Sequence, residues 1–209
     1  LKTLSNGKSS VLQHQLNQGK QDQIGLLRAK HGPLIGRKDL LSEITEALRT
    51  NVRLASIVGT AGVGKTRLAI EAIHLLKSES HDVFFCDLTE ATSGLGFTLI
   101  VAKAMDVVLD GQDPVDQLGD FFKARKTILA LDNLEQIASE AAEVIDRWLK
   151  CAPSLTVIAT SRIGLQLPEE KIFSIQTLST LEAMAFFSKH AKKANSNFEF
   201  NEESFQTIS

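Results

Sequence analysis

The stretch Gly59-Thr60-Ala61-Gly62-Val63-Gly64-Lys65-Thr66 decides how the rest of the chain is organised. It fits the pattern G-x-x-x-x-G-K-[ST], in which glycines let backbone N–H groups surround phosphate oxygens. An apolar run over residues 54–58 precedes it, and apolar residues at helical spacing follow it, so it lies between a strand and a helix. We predict a phosphate-binding loop for a nucleoside triphosphate, with these eight residues and Arg67 as candidate nucleotide contacts.

Two side chains of this loop have separate predicted roles. Lys65 places an ammonium group against the β- and γ-phosphates, and Thr66 offers its hydroxyl to Mg²⁺. The N-terminus of the following helix adds N–H groups and a positive dipole end. The alternative is a glycine-rich turn of no special purpose, and the flanking strand and helix favour the phosphate-binding interpretation.

Apolar runs elsewhere predict the other strands of one sheet. With the first run they cover residues 54–58, 83–88, 127–132, 155–160 and 172–175, separated by helical patterns. Apolar strands that alternate with helices indicate a parallel sheet covered on both faces. The predicted fold class is α/β: a three-layer P-loop NTPase with a mainly parallel five-stranded sheet, followed by the start of a helical lid subdomain.

The chain divides into three predicted segments. Residues 1–32 form a basic linker or the edge of a preceding domain, since residues 1–38 hold seven Lys/Arg and one acidic residue. Residues 33–178 form the P-loop nucleotide-binding domain. Residues 179–209, which open with a capping box, begin a truncated helical lid subdomain. Because the chain opens at Leu1 rather than Met, we expect a piece excised from a longer protein.

Composition excludes several classes of protein. The net charge of −2 gives no global attraction to nucleic acid or anionic membrane. No apolar run reaches the ~18 residues of a membrane span, and no signal peptide is visible. Cys86 and Cys151 make neither a disulfide framework nor a metal cluster, and Cys86 is expected to be a small core residue. These features predict a protein of the reducing cytoplasm.

Polar residues at the end of the third apolar run are candidates for metal binding and catalysis. Asp132 is the candidate Mg²⁺ ligand, and its alternative role is to cap a helix that begins near residue 134. Many P-loop ATPases place a second acid next, but this chain has Asn133, whose amide can bond to a water and cannot take its proton. Turnover should therefore be slow. Glu135 is expected to favour the positive end of the following helix.

The fourth run ends in Thr160-Ser161 and is followed by Arg162. A guanidinium there could reach the γ-phosphate, and the alternative is a surface arginine paired with a nearby acid. Ligands of parallel sheets bind beyond the carboxyl ends of the strands. The predicted catalytic residues are Lys65, Asp132, Asn133 and Arg162, with Thr66 and Asp132 as metal ligands.

Other nucleotide-binding classes fit poorly. The chain lacks the N-K-x-D motif that binds guanine and the L-S-G-G-Q motif of transporter ATPases. It also lacks the G-x-G-x-x-G motif of dinucleotide-binding folds, because Arg67 stands at the third glycine position.

The ordered run of motifs resembles the nucleotide-binding module of the STAND-class, NB-ARC-like signal-transduction ATPases. The chain looks most similar to bacterial ATP-binding regulators of the LuxR and antibiotic-regulatory types. The resemblance covers about residues 33–195. The matching motifs are Leu34-Ile35-Gly36-Arg37-Lys38, residues 59–66, Phe85-Cys86-Asp87-Leu88, residues 129–135 and residues 158–162.

The resemblance implies ATP or ADP with Mg²⁺ as cofactors and Arg162 at the γ-phosphate. It places Leu34, Ile35, Gly36 and Arg37 near the adenine, although Lys38 stands where the family has Glu. The family's G-L-P-L motif and winged-helix part would lie beyond residue 209. Protein partners or self-association would involve domains outside this chain, DNA would bind only through a domain not present here, and no membrane is implied.

The leading functional prediction is an ATP/ADP-binding regulatory switch with slow Mg-dependent hydrolysis, within a larger signalling or transcription-regulatory protein. One alternative is an AAA+-like motor or loader ATPase with rapid turnover. The other is a non-hydrolysing platform that holds ADP and binds partners. The basal ATPase rate distinguishes the three.

Overall fold

The computed structural model describes residues 25–30, 34, 36–77, 81–111, 113–177, 183–184, 187–188 and 191. Its helices are α1 (residues 25–30), α2 (Lys38–Thr50), α3 (Lys65–Leu76), α4 (Gly94–Ala104), α5 (Pro114–Lys123) and α6 (Ala138–Cys151). Its strands are β1 (Leu54–Val58), β2 (Asp82–Asp87), β3 (Thr127–Asp132), β4 (Leu155–Ser161) and β5 (Glu170–Ser174).

The five strands form one sheet in the order β2-β3-β4-β1-β5, and every strand pair is parallel. The predicted α/β class and five-stranded sheet are confirmed. Strand β1, which leads into the phosphate-binding loop, pairs with β4 and β5. Strands β2 and β3 run in register, so that Asp87 lies beside Asp132 at their carboxyl ends.

The sheet separates two apolar cores because successive strand residues face opposite sides. In β3, Leu129 and Leu131 belong to the core with α4, α5 and α6. Ile128 and Ala130 belong to the core with α2 and α3. All six residues of β3 are buried, as expected for a strand covered on both faces. The predicted core position of Cys86 is confirmed, and burial raises the pKa of its thiol to about 12.

Local sequence signals explain where several helices begin. Ser93 caps α4 by accepting a hydrogen bond from the Gly96 amide. Asp113 caps α5 by accepting from the Val115 amide, and Pro114 occupies the first helical position, as predicted. The helix expected from about residue 134 begins later as an α-helix. A single 3-10 turn (Leu134–Gln136) comes first, and α6 begins at Ala138.

The chain divides into two compact units, residues 1–175 and 176–209. Most of the predicted lid, including its capping box, lies outside the described residues, and residues 183–184, 187–188 and 191 are helical. Across the described ranges, no helix is long and apolar enough to cross a membrane.

Candidate functional site

The loop between β1 and α3 has the backbone shape expected for binding phosphate. Gly62 and Gly64 adopt φ angles of 75° and 103°, which are left-handed conformations that side chains disfavour. Helix α3 begins at Lys65, and its N-cap residue, Gly64, offers no side chain to accept a hydrogen bond from the first amides. The first N–H groups of a helix have no intrahelical partner, so these amides can bind an anion.

Lys65 is held inside this loop. Its side chain is buried, with 7% of the residue exposed, and Nζ donates to the carbonyls of Gly59 at 3.0 Å and Thr60 at 3.1 Å. An ammonium group has three donors, so one remains for another acceptor. The loop therefore places a buried positive charge at the base of the candidate phosphate site.

Thr66 and Asp132 meet at the same place although 66 positions separate them. The Thr66 hydroxyl lies 2.9 Å from both carboxylate oxygens of Asp132. Thr160, at the end of β4, donates to Asp132 Oδ1 at 2.5 Å. Asp132 is 3% exposed and does not cap α6, so its proposed alternative as a helix cap does not apply.

Burial raises the pKa of Asp132, and the nearby charges of Asp87 and Glu135 raise it further, while hydrogen bonds from Thr160 and Thr66 lower it. A cation at this carboxylate would relieve both the burial cost and the repulsion. Hydroxyl and carboxylate oxygens are also the ligands that Mg²⁺ prefers, and Mg²⁺ is commonly held by one or two protein groups plus phosphate and water. Thr66 and Asp132 therefore fit Mg²⁺. No group of three His, Cys, Asp or Glu side chains within the described ranges could hold a metal ion.

Asn133 connects this carboxylate to a second one that the sequence analysis did not select. Its backbone is left-handed, with φ of 66°, and its amide N–H donates to Thr160 Oγ1 at 3.1 Å. Its side-chain Nδ2 lies 3.3 Å from Asp132 Oδ2, 3.3 Å from Asp87 Oδ1 and 2.9 Å from Thr89 Oγ1. Asp87 ends an apolar strand just as Asp132 does, and that placement was the signal available in the sequence.

Arg162 lies beside Glu135 in the structure. Its Nε lies 3.5 Å from Glu135 Oε1, and its side chain is 64% exposed. This is the arrangement of the alternative interpretation, a surface arginine beside an acid. A contact between Arg162 and a γ-phosphate stays a prediction. A cavity of about 600 Å³ adjoins this pair and is lined by Thr89, Asn133, Glu135, Gln136, Arg162 and Ile163.

Helix α1 packs against α3 through a network of charged groups. Glu71 accepts hydrogen bonds from Arg28 and Arg67, and Arg67 also donates to the backbone carbonyl of Arg28 at 2.9 Å. Burial raises the pKa of Glu71, but the two guanidinium groups outweigh it and hold the pKa below its usual value. The predicted nucleotide contact of Arg67 therefore competes with these bonds, and it stays a prediction.

The same helix adjoins the candidate metal site. A cavity of about 630 Å³ lies between residues of α1 and those of the site. Its lining comprises Leu26, Leu27, Lys30, Thr66, Phe85, Asp87, Asp132 and Asn133.

Three of the four residues predicted near the adenine, Leu34, Gly36 and Arg37, precede α2. Leu34 packs against the core that contains α2 and α3. Gly36 is exposed with φ of 65°, and Arg37 occupies the N-cap position of α2. Ile35 lies outside the described residues. Adenine contacts by this segment stay a prediction.

Residues 48–167 match the family described as "AAA domain", which is more than half of the chain. The chain belongs to this AAA domain family. The geometry and the match together identify a P-loop AAA-type ATPase domain.

The chain is similar to a transcriptional regulator in sequence and to two solved structures in fold. A putative HTH-type transcriptional regulator of Mycobacterium tuberculosis is 32% identical over 155 residues, covering 73% of this chain and 17% of the regulator. Cdc6p from Pyrobaculum aerophilum has a TM-score of 0.63 at 12% identity, over 77% of this chain and 50% of that one. A STAND protein with a tetratricopeptide repeat sensor from Pyrococcus horikoshii has a TM-score of 0.53 at 19% identity, over 84% and 27%.

These similarities differ in what they establish and in how much of each relative they cover. The two structures establish the fold alone. The chain spans less than half of the length of the curated relatives it matches: 17% of the regulator, and 45% of an uncharacterized M. tuberculosis protein that is 28% identical over 177 residues, 83% of this chain.

Proposed function

We propose that this domain binds ATP or ADP with Mg²⁺ and acts as a nucleotide-operated switch within a longer regulatory protein. One observation carries the proposal: Lys65, Thr66 and Asp132, which come from two separate elements, converge beside the uncapped N-terminus of α3. In P-loop proteins the lysine at this position binds phosphate oxygens, and the hydroxyl and the carboxylate bind Mg²⁺.

Within this proposal, the loop amides and Lys65 hold the phosphates, and Thr66 and Asp132 hold the metal. Mg²⁺ would neutralise charge on the phosphate oxygens. Thr160 keeps Asp132 in position, because its hydroxyl is bonded to the carboxylate and to the Asn133 amide at the same time.

Slow turnover is part of the proposal. Asn133 occupies the position after the metal-binding acid, and an amide cannot accept a proton from water. A long-lived ATP state and a distinct ADP state are what a switch requires. The similarity of the M. tuberculosis regulator supports a place in transcription regulation, with DNA and protein partners bound by domains outside this chain. We further propose that the nucleotide-binding domain comprises residues 33–178 and that the lid subdomain comprises residues 179–209.

The experiment is a steady-state ATPase assay with saturating Mg-ATP. A cooperative thermal unfolding transition, measured beforehand on a separate sample, establishes that the chain is folded. We expect measurable hydrolysis below about 1 s⁻¹, the low end of ordinary enzymes. Turnover well above that value without a partner would overturn the switch and favour a motor or loader ATPase.

A non-hydrolysing platform that holds ADP is the second candidate, and Asn133 is the observation that favours it. Nucleotide binding with no hydrolysis above a Lys65→Ala background would establish this alternative.

A further inference from the structure

Asp87 is a carboxylate at the candidate site that the roles assigned above leave unused. It ends β2, directly beside Asp132 in the register of the sheet, and both residues line the cavity that also contains Thr66. Asn133 Nδ2 lies 3.3 Å from Asp87 Oδ1 and 3.3 Å from Asp132 Oδ2, so one amide group joins the two carboxylates.

Asp87 is also held in a defined position. Thr89 donates to Asp87 Oδ1 from its backbone N at 3.0 Å and from its hydroxyl at 2.6 Å. Among the described residues, the hydrogen bonds that Asp87 accepts all reach Oδ1. The second oxygen, Oδ2, can therefore accept a hydrogen bond from a water in the cavity. Asn133 cannot supply such a charged acceptor, because its amide is turned toward the carboxylates as a donor.

We propose that Asp87 orients the attacking water during ATP hydrolysis, with Asn133 fixing the distance between Asp87 and the metal-binding Asp132. This inference rests on the proposed function and names a further residue of the same site. Asp87, at the end of the strand beside β3, then performs the task that an acid directly after Asp132 performs in many P-loop ATPases. This arrangement explains how hydrolysis can occur without an acid at position 133.

The reaction transfers the γ-phosphoryl group to water. A bond forms between the water oxygen and the γ-phosphorus, and the bond between that phosphorus and the β–γ bridging oxygen breaks. The electron pair of the broken bond stays on ADP, and the proton of the water leaves with the phosphate product. Asp87 accepts a hydrogen bond from this water and so directs the oxygen lone pair toward the phosphorus.

The test compares Asp87→Asn with Asp82→Asn, which makes the same chemical change at the opposite end of β2. Asp82 pairs with Arg125 and lies about 16 Å away at the rise of an extended strand. Each variant and the wild type are measured for kcat and KM with Mg-ATP, for ATP affinity by titration calorimetry and for thermal unfolding.

We expect Asp87→Asn to lower kcat at least tenfold while ATP affinity stays within about threefold of wild type. Asp82→Asn should keep kcat within about twofold, even if its unfolding temperature falls. A merely structural role of Asp87 would lower the unfolding temperature and leave the kcat of the folded fraction unchanged.

Two results overturn the inference and leave nucleotide binding intact: unchanged kcat in Asp87→Asn, or a wild type that binds ATP and does not hydrolyse it. Loss of ATP affinity in Asp87→Asn equal to the loss of kcat would also overturn it, because the residue would then serve binding. A wild type that binds no ATP contradicts the proposed function itself.

Discussion

Replacing Lys65 with alanine tests the phosphate site most sharply, because Lys65 is the buried cation at its base. The substitution removes the ammonium group that now donates to Gly59 and Thr60 at 3.0 and 3.1 Å. When a triphosphate binds, we expect these donors to turn to phosphate oxygens. Nothing else in the loop carries a positive side chain.

The expected loss follows from the strength of one such contact. A hydrogen bond to a charged group contributes about 1.5–3 kcal/mol, and about 1.4 kcal/mol changes an equilibrium constant tenfold. The dissociation constant for Mg-ATP should therefore rise between about 10-fold and about 150-fold. The lost attraction to the other phosphate charges makes the lower figure a minimum.

The assay is a titration with a fluorescent ATP analogue, and Lys77→Ala is the matched control. Lys77 directly follows the last residue of α3, about 18 Å from Lys65 at the rise of a helix. The control should bind the analogue as the wild type does. A folded Lys65→Ala protein with wild-type affinity would refute the assignment of the phosphate site.

Two further substitutions test the metal site and the packing of α1. Asp132→Ala should weaken ATP binding in Mg²⁺ at least tenfold and spare ADP binding without Mg²⁺; equal loss of both would show that Asp132 is mainly structural. Glu71→Gln should lower the free energy of unfolding at pH 7 by about 1–3 kcal/mol, because the two guanidinium groups lose a shared negative charge and one of their two acceptor oxygens becomes an NH₂ donor. The folded-state pKa of Glu71 lies below the usual value of 4.5, so its stabilisation is present above that pH and lost as the pH falls through the folded-state value. Urea unfolding of both proteins should show a difference that narrows below about pH 4.5, and a difference unchanged down to pH 3 would contradict this role.

Much of the fold could be predicted because its signals are local. The apolar runs that became β1, β3 and β4 are bounded by polar residues, and the Asp113-Pro114 pair marks a helix start by its own chemistry. The loop from Gly59 to Thr66 is likewise recognisable from spacing alone. The order of the strands was not predicted, because pairing joins residues far apart in the sequence.

The missed parts of the site depend on that pairing. Asp87 lies beside Asp132 only because β2 pairs with β3, and 45 positions separate the two residues in the sequence. The expected helix start near residue 134 was wrong because Asn133 adopts a left-handed backbone that redirects the chain before α6. The contact between Arg162 and a γ-phosphate stays a prediction. The neighbour of Arg162 in the structure is Glu135, which a 3-10 turn brings within 3.5 Å.

The contacts of helix α1 could not be predicted from the sequence either. Residues 1–32 were expected to be a linker or the edge of a domain, on the basis of their polar composition. Arg28 nevertheless bonds to Glu71 and His74 on α3, 43 and 46 positions away. Composition alone cannot indicate such contacts, because they depend on the position of a partner helix.

Equilibrium binding of ATP and ADP to the wild-type chain, with and without Mg²⁺, tests the central claim most directly. Titration calorimetry should give one nucleotide per chain, with ATP affinity that increases at least tenfold when Mg²⁺ is present, because Thr66 and Asp132 then share the metal with the phosphates. A folded chain that binds neither nucleotide at millimolar concentration would contradict the account.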